Sequence, residues 1–309
     1  MAPSGTESDT EVEAARYRLT GFGFAVLASL GLGLAIAVAR IAFEGGTDGQ
    51  SIAMVRAWFV VLLVGGWCLA SDRSLRVEWW VWLNCLGLGT LLAHMFFGNI
   101  GAVKYIPVGV AALLFFIYPP LVSVFTAILD RRWPGFLRFS GFLIAFGGLG
   151  VMLGVEFDDL DPLGLFFGLS AGVACAINVI WIGRVMGGRD PLVVMFHMAL
   201  VAACVLTVVV LAIVGFTAPT TTAGWLGALG VVLLQGCSIP LYYAAIPRIG
   251  VETSSILNNL QPVAAIGGAF LLYGEALTSA QAIGGGMVIG GILLMQLSSK
   301  LRRMTASAD

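Results

Sequence analysis

Two histidines lie inside apolar runs of the chain, His94 and His197. An imidazole there is a candidate for chemistry, because it titrates near neutral pH and hydrogen-bonds a carboxylate. His94 stands with Met95, Phe96, Phe97 and Asn99, a polar and aromatic cluster. It is expected to hold a ligand carboxylate or to titrate with ligand exchange, with a satisfied packing role as the alternative. His197 falls in MFHM, which aligns with Met54, Val55, Arg56 and Ala57, and reads more readily as packing.

Amides, hydroxyls and aromatic rings supply the remaining candidates. Ser255, Asn258 or Asn259, and Pro262 recur at helical spacing and share a face, with Gln261 beside them. Asn178 and Trp181 follow glycines repeated every four residues at Gly164, Gly168 and Gly172, while Gln235, Ser238 and Tyr242 form one stripe around Pro240. Such groups bind small polar or amphipathic molecules by hydrogen bonding and stacking. Each also has a structural alternative: amides join neighbouring helices, and Trp181 suits a membrane interface. No His, Cys, Asp or Glu cluster has ligand spacing, the five cysteines lie in apolar runs without a C-x-x-C, and G-x-x-x-x-G-K-[ST] is absent. No metal, cofactor, catalytic residue or ATP site is expected, and the low net charge of -1 offers nucleic acid no basic patch.

The elements that carry these residues follow from composition. Of 309 residues, 59% are hydrophobic and 11% charged, so the partner of most of the surface is a lipid bilayer. The chain divides into ten apolar runs: Leu19 to Phe43, Ser51 to Ala70, Trp80 to Ile100, Ile106 to Leu129, Phe136 to Gly154, Leu163 to Ile182, Leu192 to Val214, Trp225 to Ile246, Thr253 to Tyr273 and Ser279 to Leu297. The expected fold is all-α and integral to the membrane. Residues 1–18 form an acidic cytoplasmic tail expected to be disordered, 19–154 and 155–299 two five-helix repeats, and 300–309 a short basic C-terminus.

The repeats are legible as a gapless shift of 143 residues, which lays Leu114 on Leu257, Pro119 on Pro262, Gly141 on Gly284, and Gly147 and Gly148 on Gly290 and Gly291. Five helices per repeat is an odd number, so the second repeat is inverted relative to the first. Prolines 119, 240 and 262 are expected to bend or break their helices and to free carbonyls at membrane depth, which is tolerated beside a water-filled cavity. The shift sets Tyr118 against Gln261, making one cavity wall aromatic and the other amide. Lysines and arginines crowd one set of span ends, from Arg16 and Arg73 through Arg138 and Arg189 to Lys300, whereas the other set holds Arg40, Arg56 and Lys104. That bias places both termini in the cytoplasm. Glu275, in the turn after the ninth span, invites a coupling role, but Thr278 and Gln281 form a T-x-x-Q capping box that explains the turn as architecture.

The segment PVAAIGGAFLLYGEALTSAQAIGGG, from Pro262 to Gly286, resembles the EamA-type ten-helix transporters of the drug/metabolite transporter superfamily, matching their proline, their Gly-Glu turn and the glycines that follow. The first repeat departs from the pattern at Arg132, where the family usually has glutamate, and at Gly31-Leu32-Gly33, which replaces a tryptophan-glycine. The resemblance implies two inverted five-helix repeats, no enzymatic activity, and alternating-access transport or facilitated diffusion of a small-molecule substrate. Efflux of amino acids or related compounds across a prokaryotic plasma membrane is the task it implies. The substrate set expected around the cavity is His94, Asn99, Tyr118, Asn178, Trp181, Gln235, Ser238, Tyr242, Ser255, Asn258 and Gln261. A membrane scaffold or receptor, and less readily a membrane enzyme, are the rival readings; monomer and homodimer are both compatible with the sequence.

Overall fold

In lipid, backbone donors and acceptors must be satisfied within the chain, so apolar runs of this length fold as helices. The computed structural model describes residues 5–131, 135–154, 160–185, 187–274, 276 and 278–306. Arg132, Glu275 and most of the acidic turn beginning at Glu156 lie outside the described residues. The helices are α1 (Gly5–Glu44), α2 (Gly49–Ala70), α3 (Trp79–Ala102), α4 (Val108–Phe115), α5 (Tyr118–Leu129), α6 (Phe136–Leu153), α7 (Pro162–Val185), α8 (Pro191–Val209), α9 (Thr222–Ile249), α10 (Val251–Leu257), α11 (Leu260–Tyr273) and α12 (Ser279–Ala306). A π turn, Val210–Val214, extends α8. Taken as spans they are ten, the fourth made of α4 and α5 and the ninth of α10 and α11. The protein is a multi-pass membrane protein.

The helix of the first span begins at Gly5, within the acidic leader. Once an apolar helix has nucleated, each added residue gains a hydrogen bond without a new nucleus, and carboxylates suit a helix N-terminus. Local signals set other ends. Asp48 accepts from Ser51 N at 2.8 Å to start α2, and Asp190 accepts from Leu192 N at 3.0 Å ahead of Pro191. The expected capping box is present, with Thr278 N to Gln281 Oε1 at 3.0 Å and Gln281 N to Thr278 Oγ1 at 3.2 Å.

The contacts between helices repeat under the inversion. α1 packs on α9 and on α10 and α11, just as α7 packs on α3 and on α4 and α5; α2 packs on α8 and α6 on α12 across the pseudo-two-fold axis. The repeated glycines explain the last of these. A Cβ at Gly148 would stand 2.7 Å from Gly284 O, and one at Gly141 would stand 2.9 Å from Gly291 O. The two contacts are equivalent under the sequence shift, which lays Gly141 on Gly284 and Gly148 on Gly291 and so turns one contact into the other.

Gly250 alone joins α9 to α10, at φ 85 and ψ 157. That region is essentially closed to residues with a Cβ. Gly250→Ala is expected to cost about 1–3 kcal/mol, read as a lower melting temperature in detergent; an unchanged melting temperature would show that the junction relaxes freely.

Candidate functional site

Of the three expected proline interruptions two occur, at Pro119 and Pro262, just upstream of the proline in each case. Between α4 and α5 the ladder tightens, with Ile117 N on Leu114 O at 3.4 Å; between α10 and α11, Asn259 N reaches Ile256 O at 3.1 Å. The Asn258 carbonyl, which Pro262 cannot serve, is not left free: Gln261 N takes it at 3.0 Å. Pro240 differs, since α9 passes through it and Pro247 without interruption. The two breaks are held alike by the first helix of the opposite repeat. Ser29 Oγ donates to Leu257 O at 3.2 Å, and Gly172, its counterpart at the 143-residue shift, lets α7 approach Leu114 O, 2.7 Å from where a Cβ would stand.

The breaks meet at the centre of the molecule. Asn258 Nδ2 donates to Tyr118 Oη at 2.8 Å and lies 3.3 Å from Gln261 Oε1, while Ser29 Oγ is 3.3 Å from Asn258 Oδ1. Above this floor opens a cavity of about 270 Å³ that extends to a rim at Phe43, Gly49 and Ile100, the end of the bundle away from both termini. Its walls are helical stripes at three- and four-residue spacing: Gly49, Ile52, Ala53 and Arg56 on α2, Leu92, Met95, Phe96, Asn99 and Ile100 on α3, and Val231, Gln235, Ile239 and Tyr242 on α9. The walls near the breaks are as unlike as expected, Phe115 and Tyr118 facing Asn258 and Gln261.

Six of the expected site residues thus line the cavity: Asn99, Tyr118, Gln235, Tyr242, Asn258 and Gln261. Five point elsewhere. His94 faces α7, its Nε2 3.2 Å from Ser170 Oγ. Asn178 is fully buried, donating to Leu88 O at 2.8 Å and accepting from Tyr243 Oη at 2.7 Å, so it ties three helices together. Trp181 donates to Asn84 Oδ1 at 2.6 Å and lies against Gly87 of α3. Ser238 is pressed against Gly31 of α1, and Ser255 donates back to Glu252 O at 2.9 Å. His197 is likewise satisfied locally, by Val193 O at 2.8 Å.

The residue not anticipated is Arg56. It is no rim charge: it sits about two turns inside α2, 6% exposed, on the cavity stripe. Its Nη1 donates to Gln235 Oε1, and its guanidinium lies 4.0 Å from the centroid of the Phe96 ring. The signal was available, since a lone cation at i+7 from Gly49 and i+4 from Ile52 falls on the same face as both.

The opposite end is closed, and by charge. Arg138 and Glu252 meet at 2.6 Å, Arg189 and Glu78 at 3.7 Å, Arg184 and Asp130 at 3.8 Å, and Arg73 pairs with Asp190. Each pair joins one repeat to the other. At the rim, the Arg40 to Glu44 pair, 2.9 Å, lies within α1.

The EamA-like transporter family model matches twice, over residues 19–154 and 162–297. A curated protein of Archaeoglobus fulgidus described as an uncharacterized transporter is 25% identical over 255 residues, spanning 81% of this chain and 87% of its own. A solved crystal structure superposes with a TM-score of 0.74 at 20% identity, covering 91% of this chain and 98% of that one, a likeness of fold.

Proposed function

Because the chain belongs to the EamA-like transporter family, we propose that it is a secondary transporter or facilitator that moves small metabolites by alternating access, exporting amino acids or related compounds. The single observation that carries this reading is the asymmetry of the bundle. A cavity of about 270 Å³ reaches one rim, while ion pairs between the repeats close the other end. Rocking one repeat against the other about the Tyr118 and Asn258 contact would break those pairs and close the rim. The size suits a metabolite of amino-acid dimensions. In the orientation proposed here, with both termini in the cytoplasm of a prokaryote, the cavity faces outward and the ion pairs form the cytoplasmic seal.

The test is counterflow. Purified protein in liposomes preloaded with one compound of a panel of amino acids and organic acids should accumulate its labelled form, and an imposed pH gradient shows whether protons are coupled. Absence of exchange for every compound would refute transport. The site itself is tested by Asn258→Leu, which removes the amide at the cavity floor and should abolish exchange while His94→Ala leaves it within about twofold, since surface or packing changes away from a site cost little.

A further inference from the structure

Arg56 is the one charged side chain among the described residues lining the cavity, and its charge has no counterion there. The carboxylates nearest in sequence are engaged: Asp48 accepts from Ser51 N at 2.8 Å and Oγ at 2.9 Å, and Glu44 holds Arg40 at 2.9 Å. Gln235 offers Arg56 a neutral oxygen through Nη1 only. Nε and Nη2 are shielded from water and have no acceptor. An arginine held in this way at membrane depth is costly, and such residues mark ligand pathways.

The two unpartnered nitrogens are not an arbitrary pair. Nε–H and one N–H of Nη2 lie along the same edge of the planar guanidinium and point the same way, at the separation of two carboxylate oxygens. Phe96 lies over the face of the group, so a carboxylate arriving in the plane does not compete with the ring. Water does not reach this edge in the present conformation, so a carboxylate reaches it only after a side chain of the wall has moved. Much of the rest of the wall is apolar or aromatic, with Leu32, Ile36, Ile52, Leu92 and Phe115, beside the neutral amides Asn99, Asn258 and Gln261. A zwitterion bound here leaves the cavity with its positive charge, and its ammonium finds neutral oxygens beside a guanidinium. A monocarboxylate without an ammonium leaves the site neutral.

We propose that Arg56 anchors a site for monocarboxylates that carry an apolar body and no ammonium group, bound side-on through Nε and Nη2. That the bound acid is a substrate rests on the transport reading; the anion site rests on the geometry of Arg56. Among amino acids and related compounds, the related compounds are then the preferred cargo.

Four molecules with one phenyl body separate the possibilities: phenylpropionate, its uncharged amide phenylpropionamide, phenylalanine and phenethylamine. Affinity is read from thermal stabilisation of the purified full-length protein. Phenylpropionate should bind on the order of 100-fold more tightly than the amide or the amine, and about tenfold more tightly than phenylalanine. Arg56→Gln should erase these ratios and Arg56→Lys should retain part of them, a point charge without the fork. Gln235→Glu keeps the arginine and supplies an internal carboxylate, so it should abolish phenylpropionate binding in a folded protein even where Arg56→Gln does not fold. Failure of phenylpropionate to bind, equal binding of the amide, or an unchanged ratio in Arg56→Gln overturns the proposal. Counterflow of phenylpropionate keeps the two readings apart. Arg56-dependent binding with no flux of phenylpropionate or of any other compound of the panel refutes transport and leaves the anion site standing, whereas flux of other compounds without Arg56-dependent binding of phenylpropionate refutes the anion site and leaves transport standing.

Discussion

Leucine at Gly284 is expected to prevent the two repeats from docking. A Cβ there would lie 2.5 Å from Gly148 O and 2.5 Å from Met152 N, both backbone atoms of α6. A side chain can rotate out of a clash, but the backbone of a packed helix cannot, so α6 and α12 must separate along their whole contact. Overpacking usually costs 1–3 kcal/mol, and here the cost should be about 3 kcal/mol or more because neither partner is flexible. In a membrane the loss is felt directly, since close packing of small residues, not exclusion of water, holds such helices together. Gly286→Leu is the control, because a Cβ at Gly286 meets nothing within 4 Å. Size-exclusion profiles after heating should show Gly284→Leu aggregated or at greatly lowered melting temperature and Gly286→Leu close to wild type. Equal melting temperatures would mean that the α6 to α12 contact contributes nothing to the fold.

That contact shows which parts of the structure were legible beforehand. Gly141 and Gly284 announced themselves by recurring at a fixed shift, and so did Pro119 and Pro262, because backbone requirements are written in the identity of single residues. The rotation of each helix about its own axis is not written in that way. In water an amphipathic stripe marks the buried face, but in a bilayer lipid and core both accept apolar side chains, so the stripe is nearly flat. His94 was grouped with Phe96 and Asn99 because they are neighbours in sequence. The cavity stripe of α3 runs through Leu92, Met95, Phe96 and Asn99, and His94 lies about 200° around from Leu92 at 100° per residue. Asn178 and Ser255 point away from the cavity for a related reason: a lone polar residue in an apolar helix is equally well satisfied by a ligand, by a neighbouring helix or by its own backbone, and Tyr243 of α9 satisfies Asn178 while Glu252 O, one turn back in α10, satisfies Ser255. Arg56 counts with the span-end charges that set orientation, although its offset from Gly49 places it inside.

Glu252→Gln is expected to open the end of the bundle that carries the termini. Of the four ion pairs between the repeats among the described residues, Arg138 to Glu252 is the shielded one, with side chains 10% and 26% exposed, whereas Arg184 and Asp130 are 58% and 56% exposed and 3.8 Å apart. An exposed pair contributes about 0–1 kcal/mol. Removing one partner of a buried pair costs about 3–5 kcal/mol, because the remaining charge stays buried, and Arg138 Nε already has no acceptor. Partial exposure of Glu252 reduces that figure to about 2 kcal/mol. The penalty falls on the closed conformation alone, since opening this mouth hydrates Arg138, so the open population should rise about 30-fold. A cysteine replacing buried Ile249, in a background without the native cysteines, reports it through its maleimide labelling rate. Glu252→Gln should raise that rate about 30-fold and Asp130→Asn less than about fivefold. The double variant Arg138→Gln, Glu252→Gln separates a lost tie from a stranded charge. With no charge left to bury, the closed state should recover and labelling should fall back toward wild type; labelling as fast as in Glu252→Gln would mean that the pair itself, and not the cost of an unpaired Arg138, held the mouth shut.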